Sequence, residues 1–193
     1  MINLSTRQQV MVGLFLAALM AVTRGHHIAT IENLPSAAWA VFFLAGIYLR
    51  SIWLLPALLL EAAALDYAAV TWGGVSSFCI SPAYAFLLPA YGSLWLAGQC
   101  YAKHYRFEWR TLPRLLISST SGVLVCQLFS SGGFYFYSGR FTDPSLSEFT
   151  ARLLKYTPHT LETMAFYVAF ALVVHSLFVL LDETSRLHNK LVN

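Results

Sequence analysis

The chain has 193 residues, of which 58% are hydrophobic and 11% charged, and its mean hydropathy is +0.61. Soluble domains carry roughly 25% charged residues, so a water-soluble globule is excluded and a polytopic membrane protein is expected. The net charge of +3 comes from scattered basic residues, which excludes a nucleic-acid-binding stripe and leaves the charges to report topology.

In chain order, Ser5 with Gln8 and Thr6 with Gln9 have capping-box spacing ahead of the first apolar stretch, VMVGLFLAALMAV. Arg7 gives this stretch the look of a secretory signal. Leu19-Met20-Ala21 lacks the small residue wanted for cleavage and Arg24 follows at once, so an uncleaved first span is expected. Six stretches are apolar enough to cross a bilayer, roughly 7–23, 36–50, 53–71, 83–102, 113–130 and 158–181. They are separated by RGHHIATIENLP, RSIW, GGVSSFCISP, KHYRFEWRTLP and a longer segment, 131–157. Thr157-Pro158 reads as a cap followed by proline in the first helical turn. The expectation is an all-α, single-domain integral membrane protein over 1–193 with six transmembrane helices.

With the N-terminus inside, Arg7, Arg50, Lys103, Arg106, Arg110, Arg114, Arg186 and Lys190 lie on the cytoplasmic side. Arg24, Arg140, Arg152 and Lys155 lie outside, and eight against four satisfies the positive-inside rule. Both termini are then cytoplasmic, and GGVSSFCISP faces out. In the outer segment 131–157, Leu146, Phe149, Leu153 and Tyr156 recur at helical spacing while Glu148 and Arg152 stand four apart, so a short amphipathic helix is expected there. GGFYFYSGRF before it gathers five aromatics, which suit an interfacial belt or a wall for a large planar ligand.

Of the three cysteines, Cys100 and Cys126 fall near or within spans, where cysteine behaves as a small hydrophobe. Cys79 has no partner cysteine on its side of the membrane, so it is either an incidental loop residue or a thiol with a task. His26, His27 and His159 share that face. Thiolate with imidazole is a soft metal-ligand set, but the spacing matches no zinc signature. A carboxylate at membrane depth costs at least about 2.5 kcal/mol by insertion scales. Asp66, about two and a half turns below the Cys79 loop, therefore either binds a ligand's amides or makes an interhelical hydrogen bond. Glu61, deeper in the same span, suits a structural or helix-pairing role. In the first span Gly13, Ala17 and Ala21 recur every four residues and form a groove for packing within the bundle or for docking of another membrane subunit.

Six spans in about 190 residues, Ala17 and Ala21 on the first helix, the RGHHIATIENLP loop and the SSFCISPAY stretch around Cys79 together resemble the BtuM family. These are the cobalamin-specific S-components of energy-coupling-factor (ECF) vitamin transporters, and the likeness covers nearly the whole chain. The resemblance implies an S-component-like bundle in the bacterial cytoplasmic (inner) membrane that binds cobalamin from outside and takes it up. It implies Cys79 as axial thiolate ligand to cobalt, His27 or its neighbour His26 as a contact from the first loop, Asp66 and Tyr84 as hydrogen-bonding partners of the corrin side chains, and Arg152 on an amide or the nucleotide phosphate. It further implies an ECF module, a coupling membrane protein with two ATPases, docking on the face of Gly13, Ala17 and Ala21. The sequence contains no GxxxxGK[ST] motif of its own.

A soft thiolate would displace the vitamin's benzimidazole or a water, and its electron donation would loosen an upper cyanide, so Cys79 is also the candidate catalytic group for decyanation. Two other classes use the same residues. One is a membrane-embedded thiol enzyme with Cys79 as nucleophile, His27 or His159 as base and Asp66 as orienter; the other is a haem- or metal-binding membrane subunit.

Overall fold

The computed structural model describes residues 4–24, 34–74 and 81–192, with side chains described as far as Leu181. Among these residues there are six α-helices and no strand: α1 (Thr6–Arg24), α2 (Ala38–Tyr48), α3 (Leu54–Thr71), α4 (Leu87–His104), α5 (Leu112–Tyr137) and α6 (Leu146–Val192). Short 3-10 turns at Pro82–Phe86 and Trp109–Thr111 lead into α4 and α5. The all-helical expectation holds. Four helices, α1, α3, α5 and α6, are long and apolar enough to cross a membrane.

α2 differs from its expected span because it has only 11 residues, about 16 Å at 1.5 Å per residue against a hydrocarbon core of about 30 Å. It is apolar on all sides, as a wholly enclosed helix must be, and residues Val41, Phe42, Phe43 and Ala45 are inaccessible to solvent. Glycines make the enclosure possible. A Cβ on Gly46 would run into the Trp95 carbonyl, and one on Gly98 would run into the Phe43 carbonyl, so α2 and α4 meet backbone to backbone. On the other side of α4, a Cβ on Gly122 would come within 3.0 Å of the Ala97 Cβ, and the Ser118 hydroxyl donates to the Ala97 carbonyl at 2.6 Å. Cys126 is fully buried in this core, whereas Cys100 is exposed on α4.

At the start of α1 the capping box forms at Ser5: its N–H donates to Gln8 Oε1 at 2.8 Å, and the Gln8 N–H donates to Ser5 Oγ at 3.3 Å. The Thr6–Gln9 pair does not repeat it. Gln9 instead accepts from the Arg50 N–H at 3.1 Å and donates to the Leu4 carbonyl at 3.1 Å, which ties the start of α1 to the end of α2.

Segment 131–157 also differs from its expectation. α5 continues to Tyr137, the chain reverses over 138–145 with Gly139 at φ +70°, and the amphipathic stretch becomes the first turns of α6 rather than a separate helix. Pro158 lies inside α6 and does not start a helix, so Thr157 is no cap. The Thr157 hydroxyl donates to the Leu153 carbonyl at 2.6 Å, and Thr160 does the same to Tyr156 at 3.1 Å. These bonds, together with intact turns on either side, carry the helix through the one backbone donor that proline removes.

Replacing Gly98 by alanine is expected to lower stability in detergent by at least about 1–3 kcal/mol, because the α2–α4 backbones must separate. Gly92→Ala in the same helix meets open space and is expected to be neutral or to gain up to about 1 kcal/mol from helix propensity. Thermal unfolding of the two variants side by side tests the assignment; equal midpoints would refute it.

Candidate functional site

Asp66 lies in the last turns of α3, and its carboxylate needs a partner at this depth in an apolar bundle. Arg24, the final residue of α1, supplies one. Its Nε donates to Asp66 Oδ1 at 2.7 Å and its Nη2 donates to Oδ2 at 2.7 Å, a two-bond fork across the helices. The side chains are 13% and 30% exposed. Two tyrosines complete the cluster: the Tyr84 hydroxyl, from the 3-10 turn before α4, donates to Asp66 Oδ2 at 2.8 Å, and Arg24 Nη1 donates to the Tyr91 hydroxyl at 2.8 Å. Tyr91 is held in turn by Phe42, whose ring stacks on it at 4.3 Å and 6°. An unbroken path of contact therefore runs from the enclosed helix α2 to the ion pair.

Beside this cluster is a cavity of about 440 Å³, bordered by Arg24 and Tyr91 on one side and by Trp39, His159, Thr160 and Thr163 on the other. That volume falls in the range of small-molecule sites. His159 is largely exposed, with Glu162 3.9 Å away. A second cavity of about 480 Å³ lies between α5 and α6, walled by Phe134, Tyr135, Phe141, Phe149 and Tyr156, with Arg152 at its edge. Arg152 donates through Nε and Nη2 to Glu148 Oε1 at 3.1 and 2.8 Å, and its guanidinium lies 4.9 Å from the Phe141 ring centre. The Tyr135 hydroxyl donates to Glu148 Oε2 at 3.0 Å and accepts from the Ser145 N–H at 3.1 Å, which locks the turn between the helices. Most of the aromatics of GGFYFYSGRF thus wall a cavity.

The structure joins Asp66 and Tyr84 by a hydrogen bond and sets Arg152 at the other cavity. It shows the interhelical bond considered for Asp66, with an arginine as its partner. Cys79, His26 and His27 lie outside the described residues. Among the described residues no cluster of three or more histidine, cysteine, aspartate or glutamate side chains could hold a metal. Gly13 approaches Leu49, and Ala17 packs against the core, while the exposed face of α1 is formed by Val10, Met11, Leu14 and Phe15. Part of the small-residue groove thus packs within the bundle, and Gly13, Ala17 and Ala21 are each half-buried. Sequence reasoning missed Arg24 and Tyr91. A signal existed for Arg24, since a carboxylate in one span calls for a cation at the same end of another.

No protein-family model matches the chain, and no curated protein matches its sequence.

Removing either member of the ion pair strands the other. Arg24→Leu or Asp66→Leu alone is expected to cost about 3 kcal/mol, the lower end of the range for buried pairs because Asp66 is partly exposed. The double variant is expected to recover most of that loss. A double-mutant cycle on unfolding midpoints checks it, and additive single effects would show that the two residues are not coupled.

Proposed function

We propose that the chain binds cobalamin at the end of the bundle where α1 ends and α4 begins, with the Cys79 thiolate as axial ligand to cobalt, and that it serves uptake of the vitamin across the bacterial cytoplasmic membrane. The observation that supports the reading is the Arg24–Asp66–Tyr84 cluster. Arg24 immediately precedes segment 25–33, which contains His26 and His27, and Tyr84 follows shortly after segment 75–80, which contains Cys79. One carboxylate fastens both flanks. The described residues flanking the two segments thereby meet at a common point, which suits a thiolate and an imidazole acting on one corrin.

The groups around that point suit the periphery of a corrin, which carries amides and a nucleotide phosphate. Tyr84, Thr160, Thr163 and His159 offer hydroxyls and an imidazole there, and at the second cavity Arg152, whose Nε and Nη2 donate to Glu148, keeps Nη1 for a phosphate or amide oxygen. The aromatic wall around Arg152 suits the flat faces of the ring and its base. An ECF module would supply the energy for release inside. The thiol-enzyme reading gains no support, because Asp66 is engaged by Arg24 and Tyr84 and is not available to orient a histidine.

Purified protein mixed with aquocobalamin is expected to shift the visible bands of the corrin away from those of the free vitamin, and Cys79→Ala is expected to abolish that shift. An unshifted spectrum for the wild type, or an identical shift in the variant, would overturn cobalt–thiolate ligation. Asp66→Asn is expected to keep the thiolate spectrum while weakening binding roughly ten-fold or more, because it loses the charged fork that holds Arg24 and Tyr84 in one arrangement beside the ligand; equilibrium titration measures it.

A further inference from the structure

At the end of the bundle opposite the Arg24–Asp66 pair, the link between α4 and α5 is short, folded and basic. Thr111 folds it. Its N–H donates to the Glu108 carbonyl at 3.0 Å and its hydroxyl to the Arg106 carbonyl at 2.6 Å, while the Glu108 N–H donates to the Arg106 carbonyl at 2.8 Å. Thr111 itself is buried, whereas Lys103, Arg106, Phe107, Trp109, Arg110 and Arg114 are all exposed, Trp109 by 86%. Four of these are cations, and Glu108 is the one acid in the stretch 103–114. Among the described residues none of the four cations makes an ion pair. Arg24 and Arg152 at the other end are, by contrast, each fastened to a carboxylate.

The span that contains α5 fixes where this link stands. It runs over Trp109–Tyr137, 29 residues, or about 43 Å at 1.5 Å per residue, whereas the hydrocarbon core is about 30 Å thick and the bilayer with its headgroups about 40–45 Å. Its first turn therefore lies among headgroups. Ile117 follows Arg114 by three residues and so shares its side of the helix; Ile117 and the adjacent Leu116 are 68% and 65% exposed. Along α5 the exposed surface thus passes from cationic to apolar in the order in which a phospholipid passes from headgroup to acyl chain.

We propose that the α4–α5 link is a binding site for anionic phospholipid. Arg106, Arg110, Arg114 and Lys103 take the headgroup phosphate, an acyl chain lies along Leu116 and Ile117, and Phe107 and Trp109 rest in the interface beside them. Guanidinium forks match phosphate oxygens, and aromatic rings settle where apolar tails meet water. Charge selects the lipid. Phosphatidylcholine balances its phosphate with its own ammonium, whereas phosphatidylglycerol leaves a net negative charge for cations that no carboxylate of the chain has neutralised. This inference rests on the membrane-spanning fold and is independent of the proposed vitamin ligand.

The test uses the full chain in phosphatidylcholine vesicles carrying a trace of spin-labelled phosphatidylglycerol or spin-labelled phosphatidylcholine. The fraction of each probe immobilised at the protein is read by electron spin resonance. Phosphatidylglycerol is expected to be favoured roughly two-fold or more over the whole lipid shell, since one cation near a charged headgroup is worth about five-fold at its own site. The preference is expected to fall towards one in about 1 M salt, where the screening length is about 3 Å, and in Arg110→Gln combined with Arg114→Gln. Arg140→Gln combined with Lys155→Gln removes the same charge at the opposite end and is expected to keep it. No preference in the wild type, a preference insensitive to salt, or equal losses in the two double variants overturns the proposal. A second measurement leaves every cation in place: brominated phosphatidylglycerol is expected to quench tryptophan fluorescence more than brominated phosphatidylcholine, and Trp109→Phe to reduce that excess. An excess unchanged in Trp109→Phe overturns it as well.

Discussion

The backbone contact between α2 and α4 is the constraint on which the rest of the structure depends. Gly46 and Gly98 bring the two helices together with no side chain between them, and this proximity fixes the level at which Phe42 meets Tyr91. Tyr91 then holds the third donor group of Arg24, and Arg24 grips Asp66. A helix of 11 residues, too short to cross a bilayer, thereby determines where an ion pair sits at the end of the bundle.

The ion pair itself adds little net stability. Desolvating an arginine and an aspartate costs several kcal/mol for each ion, and the attraction between them mainly repays that cost. Its contribution is geometric. With both carboxylate oxygens engaged, one by Arg24 alone and one by Arg24 and Tyr84 together, α1, α3 and the turn before α4 keep one arrangement at the end of the bundle where the proposed ligand binds. Arg152 and Glu148 do the same at the neighbouring cavity in a more exposed setting, where Tyr135 contributes a hydrogen bond and a ring face.

Much of this was legible in the sequence, and the failures have physical causes. Hydropathy located the helices, because apolar composition is what a bilayer selects, and helical spacing paired Glu148 with Arg152. It could not distinguish α2 from a span, since a helix enclosed by protein and one enclosed by lipid are equally apolar. Thr157-Pro158 suggested a helix start because proline fits the first turn best; the hydroxyls of Thr157 and Thr160, which bond backward along α6, outweighed that preference. Thr6 and Gln9 had the spacing of a cap, yet Gln9 found a better partner in the backbone of Arg50. Asp66 stood out as a membrane carboxylate, whereas Arg24 was absorbed into the charge balance that sets orientation. One residue can serve both purposes.

The enclosure of α2 also divides the bundle according to how it senses the lipid. The helices whose lengths must match the hydrocarbon thickness are α1, α3, α5 and α6, and each of these carries much exposed apolar surface. A change in bilayer thickness is met by tilting or bending of such perimeter helices, since mismatch acts only where protein touches lipid. α2 touches almost none. Its register against α4, and with it the height of Phe42 and Tyr91, is set by protein packing alone, so the interior end of the Arg24 anchor keeps its level while the outer helices accommodate membranes of different thickness.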